Sequence, residues 1–159
     1  MMSRLVFDIE TDGLDATKIW CIVAQDVDTK VIYTYGPDQL QEGYNLLDSA
    51  DSLVGHNIIG FDIPVVQRLM NKPDFSKDKK IIDTLVLSRL FNPVREGGHS
   101  LKQWGHTLGF TKLDFKEFDA YTAEMLDYCV RDVELNTAVY FELREESRGF
   151  SPLSVDIEH

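Results

Sequence analysis

One short stretch near the N-terminus, residues 5–14, constrains the fold more than any other part of the chain. Apolar residues of high β-propensity lead into Asp8 and Glu10, and Gly13 follows as a turn signal. Side chains alternate along a strand, so a strand here places both carboxylates on one face. Two like charges this close repel unless a cation lies between them, and divalent cations favour oxygen ligands. The stretch predicts either a metal-binding strand end or a strand edge whose acids face water.

Length and composition indicate one soluble domain, with a core over residues 4–146 of the 159 and a short C-terminal tail. Hydrophobic residues make up 43% of the chain, which is enough to build a core. Cys21 and Cys129 lie in apolar contexts and favour buried thiols in a reducing compartment over a disulfide. Because no membrane span or signal peptide is evident, we expect a cytoplasmic protein with no membrane partner.

The net charge of −11 argues against tight, non-specific binding to duplex nucleic acid. It leaves open a site that holds one strand end through metal ions, because carboxylates that bind cations attract phosphate. A locally basic window over residues 68–80 fits either a solvated surface or a substrate contact.

The order of predicted elements indicates an α/β fold in which a mixed five-stranded sheet is flanked by helices. Strands are predicted at residues 4–9, 18–27, 30–35, 52–55 and 80–82. Helices are predicted at residues 39–47, 61–70, 84–91, 100–108 and 122–144, with residues 110–121 irregular. In such sheets, functional groups gather at the strand ends.

Two further acids are candidate site residues because of the residues near them in the sequence. Asp62 precedes the helix that Pro64 helps to start, which also suits a simple N-cap. Asp132 follows Tyr128 by four residues on the last helix, so both side chains share a face, either as a surface contact or as part of a site. The two acids of the first strand, the acid after the His-Asn loop and the Tyr-x-x-x-Asp pair together favour a site.

This combination resembles the three exonuclease motifs of the DEDD superfamily of 3′-to-5′ exonucleases, in its tyrosine-bearing branch. The motifs are Asp8-x-Glu10, Asp62 after a Gly-His-Asn loop, and Tyr128-x-x-x-Asp132. Asp127 stands where the histidine-bearing branch has its His. The resemblance covers about residues 4–143 and is closest to the proofreading domain of phage-type family A DNA polymerases, including the stretches at residues 82–90 and 98–105. It implies an RNase H-like fold.

The resemblance also implies an activity and a cofactor. The implied reaction is metal-dependent hydrolysis of the 3′-terminal phosphodiester, which releases nucleoside 5′-monophosphates, with two divalent ions, Mg²⁺ or Mn²⁺, as cofactors. By similarity, Asp8 bridges both ions, Glu10 and Asp132 complete one, and Asp62 holds the other. Tyr128 orients the attacking water and is not a metal ligand.

Substrate contacts carry over from the same resemblance. Leu14 matches a residue that packs against the terminal base, and Phe61 matches an aromatic near the last nucleotides. Thr11 and Asn57 are candidates for hydrogen bonds to the strand end, and His56 for a phosphate contact. Apolar stacking tolerates any base, as an exonuclease requires.

Several functional alternatives stay open at this stage. The substrate is either the 3′ end of single-stranded or frayed DNA or, in a 3′-to-5′ exoribonuclease of the same superfamily, RNA. The chain is either a stand-alone phage-type enzyme or an excised proofreading domain, with a DNA polymerase or another replication protein as a further partner. A catalytically silent nuclease-like module that binds a replication protein is the non-enzymatic alternative.

Overall fold

The computed structural model describes residues 3–110 and 114–148, and the C-terminal tail from residue 151 lies outside them. The strands are β1 Arg4–Thr11, β2 Ile19–Asp26, β3 Ile32–Tyr35, β4 Ser52–Gly55 and β5 Lys80–Asp83. The helices are α1 Leu40–Ser49, α2 Ile63–Leu69, α3 Thr84–Phe91, α4 Leu101–Leu108 and α5 Ala123–Ser147. A 3₁₀ turn, Pro37–Gln39, precedes α1, and a π-helical turn, Ile58–Asp62, precedes α2.

The strands form one mixed sheet in the order β3-β2-β1-β4-β5. β1 pairs antiparallel with β2 and parallel with β4, while β2–β3 is antiparallel and β4–β5 is parallel. Helices flank this sheet, so the predicted fold class, an RNase H-like α/β fold with a mixed five-stranded sheet, is confirmed. β1 lies at the centre of the sheet and carries Asp8 and Glu10.

Hydrophobic packing divides between the two faces of the sheet. On one face, Phe7, Ile9 and Ile22 pack in a core that Leu47 of α1 and Val66 of α2 complete. On the opposite face, alternate residues of β1 and β2 pack against the long helix α5. The members of that second core include Val6, Cys21, Val23, Cys129, Val133 and Tyr140. The alternation in β1 therefore turns its even-numbered residues, including Asp8 and Glu10, toward α5.

One detail of the core, the state of the two cysteines, agrees with the sequence predictions. Cys21 and Cys129 are free thiols, both fully buried. Trp104 is 1% exposed and packs with Leu135, Val139 and Leu143 of α5. In residues 3–110 and 114–148, no helix has the length and apolar character needed to cross a membrane.

The region before α2 differs from the sequence prediction. The helix predicted from Phe61 instead begins at Ile63, after the π-helical turn. Asn57 adopts a left-handed conformation with φ 62°, and its backbone N–H donates to the Asp83 carboxylate at 2.8 Å. A side chain at Gly55 would meet Ile58 at 2.2 Å, so this tight turn needs glycine there. Periodicity could not reveal this turn, because Asp83 comes from another strand.

Candidate active site

The four predicted acids reach one edge of the sheet from three elements. β1 carries Asp8 and Glu10, and the chain after the adjacent parallel strand β4 leads to Asp62. Asp132 comes from α5, which packs across β1 and β2. Because neighbouring parallel strands end at the same edge, the segments that follow them lie close together. The fold therefore supplies a common position for residues that are far apart in sequence.

The acids contact one another across these elements. The backbone N–H of Ile9 donates to Asp62 Oδ2 at 3.2 Å, which fixes Asp62 against β1. The Asp8 side chain lies within hydrogen-bonding reach of both Asp62 and Glu10, and the charge of Asp132 acts on it. Asp62 occupies the N-cap position of α2 but makes no side-chain cap bond, so its carboxylate is not used for capping.

Burial and mutual repulsion make the charged forms of these acids costly. Burial, followed by the charge of Asp132, raises the pKa of Asp8 to about 7. Burial and the charges of Asp8 and Asp132 raise the pKa of Glu10 to about 10. Burial and the charge of Asp8 also hold the pKa of Asp62 well above its ordinary value. Such groups need either protons or cations to stay neutral overall.

The chemistry of the donor set fits a hard divalent cation. Asp8 and Glu10 each offer an oxygen within 4.8 Å of the other and of the Cys129 sulfur. Carboxylate oxygens from a few side chains, completed by waters and substrate oxygens, are the ligands that Mg²⁺ and Mn²⁺ accept. A cation among these acids would also lower their raised pKa values by its charge.

Tyr128 and Asp132 lie one helical turn apart on α5, as their spacing predicts. Asp132 is only 7% exposed, so the interpretation of this pair as a surface contact is wrong. The Tyr128 ring is half-buried and packs at a tilt against Phe115, with ring centroids 5.8 Å apart. Phe115 belongs to the irregular segment that precedes α5, so this segment holds the Tyr128 ring in place.

A cleft of about 290 Å³ lies beside the acid cluster. Three of the predicted substrate residues, Thr11, Leu14 and Phe61, line it together with Glu10. Leu14 is 94% exposed, so its side chain is accessible from the cleft. Thr11 donates from its hydroxyl to the Gly13 carbonyl at 2.8 Å and so shapes the turn that presents Leu14.

Asn57 and His56 do not line this cleft. The Asn57 side chain is exposed, near the start of the π-helical turn. His56 directs Nδ1 to the Thr84 hydroxyl and Nε2 to the His99 carbonyl, both at 2.8 Å. A carbonyl only accepts, so Nε2 carries the proton. Both ring nitrogens are thus engaged within the protein, and His56 serves the framework of this loop.

Sequence reasoning missed Phe118 and Cys129. Phe118 lines the cleft together with the predicted contacts, and its carbonyl accepts the Trp20 indole N–H at 2.8 Å. Its ring packs edge-on against Phe115, with centroids 5.2 Å apart. The segment has no periodicity, and only its aromatic content could have singled it out. Cys129 Sγ lies 3.5 Å from Asp8 Oδ2, a contact that its apolar sequence context hides.

Comparison with known proteins agrees with this geometry. A family profile described as the RNase H superfamily matches residues 5–135. The chain belongs to the RNase H superfamily. The DNA-directed DNA polymerase of Escherichia phage T7 is 27% identical to this RNase H superfamily domain, over 93% of the chain and 27% of the polymerase. The similarity to phage polymerases inferred from the motifs is thereby confirmed.

Solved structures share the fold of this RNase H superfamily domain at low sequence identity. Brucella melitensis NrnC with bound Mg²⁺ superposes with a TM-score of 0.67 and 15% identity, over 94% of this chain and 75% of that one. Escherichia coli Exonuclease I, in complex with a dT13 oligonucleotide, gives a TM-score of 0.68 and 12% identity, over 94% of this chain and 42% of that one. The domain spans about a quarter of the length of the T7 polymerase.

Proposed function

We propose that this RNase H superfamily domain is a DEDD-type 3′-to-5′ exonuclease of the tyrosine-bearing branch, acting on single-stranded or frayed DNA. In the proposed reaction, water adds to the 3′-terminal phosphodiester, the bond from phosphorus to the 3′ oxygen breaks, and a nucleoside 5′-monophosphate leaves. The observation that carries the proposal is the meeting of Asp62 with Asp8 and Glu10 of β1, beside a cleft lined by Leu14 and Phe61.

In this proposal each acid would take part in holding divalent cations. Asp8 lies centrally, within hydrogen-bonding reach of Glu10 and Asp62, so it suits a ligand shared by two ions. Glu10 and Asp132 would complete one ion, and Asp62 the other. When bound, Mg²⁺ or Mn²⁺ would supply Lewis-acid stabilisation of the phosphate and its leaving oxygen. The Mg²⁺ bound in the NrnC structure supports this choice of ion.

Tyr128 has a positioning role in this proposal. Its ring is held by Phe115, and its place one turn before Asp132 puts it on the helix face that carries an acid of the site. From there its hydroxyl would hydrogen-bond the attacking water and orient it toward phosphorus. Orientation of a reactant lowers the barrier without requiring a strong base.

The cleft suits the terminal base of a strand. Leu14, Phe61 and Phe118 offer apolar and aromatic surface, and the lining also includes Thr11 and the acid Glu10. Stacking on such surfaces depends little on base identity. Asn57 lies outside the cleft, on the exposed loop, where it could bind the strand beyond the terminal nucleotide.

DNA is the preferred substrate in this proposal for two reasons. The T7 relative is a DNA polymerase, and the structure of Exonuclease I contains a dT13 oligonucleotide. The similarity to a polymerase over 93% of this chain also makes a DNA polymerase or another replication protein the proposed protein partner. Both the stand-alone and the proofreading role fit this proposal.

The test is cleavage of a 5′-labelled single DNA strand and of its RNA equivalent, in Mg²⁺, Mn²⁺ or chelator. Wild type should produce a ladder that shortens from the 3′ end of DNA in metal only, and Asp8→Asn should abolish it. Asp12→Asn, at an acid outside the cluster, is the matched control. Faster cleavage of RNA than of DNA would make RNA the substrate. No cleavage of either strand by folded protein would favour a silent binding module.

A further inference from the structure

Cys129 is buried between the two proposed catalytic residues of α5, one residue after Tyr128 and three before Asp132. It is fully buried in the core between α5 and β1. Its sulfur lies 3.5 Å from Asp8 Oδ2 and 3.6 Å from the Asp8 backbone carbonyl. Both Asp8 oxygens are acceptors, so the contact requires the thiol as donor.

The contact between Cys129 and Asp8 is shielded from water. Cys129 is fully buried, and Cys21 and Val133 of the same core are buried with it. A neutral S–H group is a weak donor, but this one lies in the core, where water does not compete for the Asp8 oxygen. A donor directed at one Asp8 oxygen therefore restricts the rotation of the carboxylate.

We propose that Cys129 is a positioning residue for Asp8, which it holds in the orientation required to bind divalent cations. One Asp8 oxygen accepts the S–H bond, and the other lone pairs of the carboxylate face Glu10, Asp62 and the cations. The inference rests on the proposed function, because Asp8 is taken as a metal ligand. Groups that orient a metal ligand in this way commonly contribute about 10- to 100-fold to metal affinity.

The alternative is that Cys129 only fills space in the core. Cys129→Ala removes the donor and some volume, whereas Cys129→Ser retains a donor at nearly the same place. Cys21→Ala is a matched control, because Cys21 is equally buried in the same core but lies opposite Glu10 in the β1–β2 ladder. A space-filling role would affect the thermal stability of all three variants and leave metal affinity unchanged.

The experiment measures Mn²⁺ binding by the loss of the free Mn²⁺ signal in electron paramagnetic resonance, at pH 8 and without substrate. Cys129→Ala should bind Mn²⁺ about 10-fold more weakly than wild type. Cys129→Ser and Cys21→Ala should bind it nearly as well as wild type. Equal affinity in Cys129→Ala and wild type would overturn the proposal, as would equal weakening in the Ser and Ala variants.

Raman spectroscopy of the S–H stretch gives a second measurement, which needs no Cys129 variant and no metal. In Cys21→Ser the remaining band belongs to Cys129 and should shift to higher wavenumber when Asp8→Ala removes an acceptor. An unchanged band would overturn the proposal. If wild type binds no Mn²⁺ and cuts no nucleic acid, the proposed function itself fails. If wild type does both, an unchanged Mn²⁺ affinity in Cys129→Ala or an unchanged S–H band rejects only the role proposed for Cys129.

Discussion

Asp8 is the residue at which stability and the proposed metal binding conflict most directly. Its pKa is raised to about 7 by burial and by the charge of Asp132, so the metal-free protein carries a costly charge there above neutral pH. Asp8→Asn keeps the shape and removes the charge. We expect this variant to unfold at a higher temperature than wild type in chelator at pH 8, and to lose cleavage by about 1,000-fold or more.

Asp12 is the control for this prediction, because its pKa is shifted in the opposite direction from that of Asp8. Hydrogen bonds from the Thr17 side chain and backbone lower the pKa of Asp12 to about 2, so its charge is favoured in the folded state. Asp12→Asn should therefore not stabilise the protein, and cleavage should persist. If both substitutions change the unfolding temperature in the same direction in chelator, the repulsion assigned to the acid cluster is contradicted.

Tyr128→Phe should reduce the turnover number more than it changes KM. The substitution removes the hydroxyl and retains the ring that packs on Phe115. Because the proposed role is orientation of water, we expect a loss of about 10- to 100-fold in kcat. Steady-state kinetics on a short DNA strand in Mn²⁺ measures both constants. A loss as large as that of Asp8→Asn would contradict a purely positioning role.

At the residue scale, the sequence predicts the position of a side chain where local backbone geometry alone determines it. Alternation along β1 is enough to put Asp8 and Glu10 on one face. It was uninformative where the decisive contact comes from a distant part of the chain. The burial of Cys129 against Asp8 and the engagement of both His56 nitrogens depend on tertiary packing, which no local pattern encodes.

Among the elements, the turn before α2 depends on Asp83 at the end of β5. The Asp83 carboxylate accepts N–H bonds from Asn57, Ile59 and Leu85, at 2.8, 3.0 and 3.0 Å. It caps α3 and also shapes the turn that ends at Asp62. We expect Asp83→Ala to lower the free energy of unfolding by about 2 to 4 kcal/mol, because three donors lose a charged acceptor. Cleavage should fall about 10-fold or more as Asp62 moves.

Ser100→Ala is the matched control for that prediction. The Ser100 hydroxyl accepts the Gln103 N–H and caps α4, away from the acid cluster. Its loss should cost about 1 kcal/mol and leave turnover unchanged. Chemical denaturation and steady-state kinetics on both variants make the comparison. Full activity in folded Asp83→Ala would show that the turn does not position Asp62.

Element boundaries could be predicted where capping and periodicity agree. α4 and α5 begin one residue after their predicted starts, because Ser100 and Thr122 serve as caps, and β4 spans residues 52–55 as predicted. β1 extends two residues past its predicted end, because Glu10 and Thr11 find pairing partners in β2. The π-helical turn was missed because a bond from another strand stabilises it.

At the scale of the whole molecule, the acid cluster should set how stability depends on pH and metal. Glu10, with a pKa raised to about 10, keeps a proton in the folded state that an unfolded chain releases near pH 4. The folded state therefore binds more protons between these values, and stability falls as pH rises. In chelator, we expect the unfolding temperature to decrease from pH 7 to pH 9, a range above histidine titration.

Saturating Mn²⁺ should remove much of that decrease, because the cation replaces the protons. The stabilisation by Mn²⁺ should thus be larger at pH 9 than at pH 7. Scanning fluorimetry at constant ionic strength measures it, with Glu10→Gln as the variant in which the slope in chelator flattens. An unfolding temperature that rises from pH 7 to pH 9 in chelator would contradict the raised pKa values.

The central claim is that Asp8, Glu10, Asp62 and Asp132 together hold two divalent cations at a 3′ end. The most direct test is a Mn²⁺ titration followed by electron paramagnetic resonance, in the presence of a nucleoside 5′-monophosphate, which supplies the product phosphate. We predict about two Mn²⁺ per chain in wild type, about one in Asp62→Asn and a large loss of binding in Asp8→Asn. Binding that is absent in wild type, or unchanged in Asp8→Asn, would contradict the account.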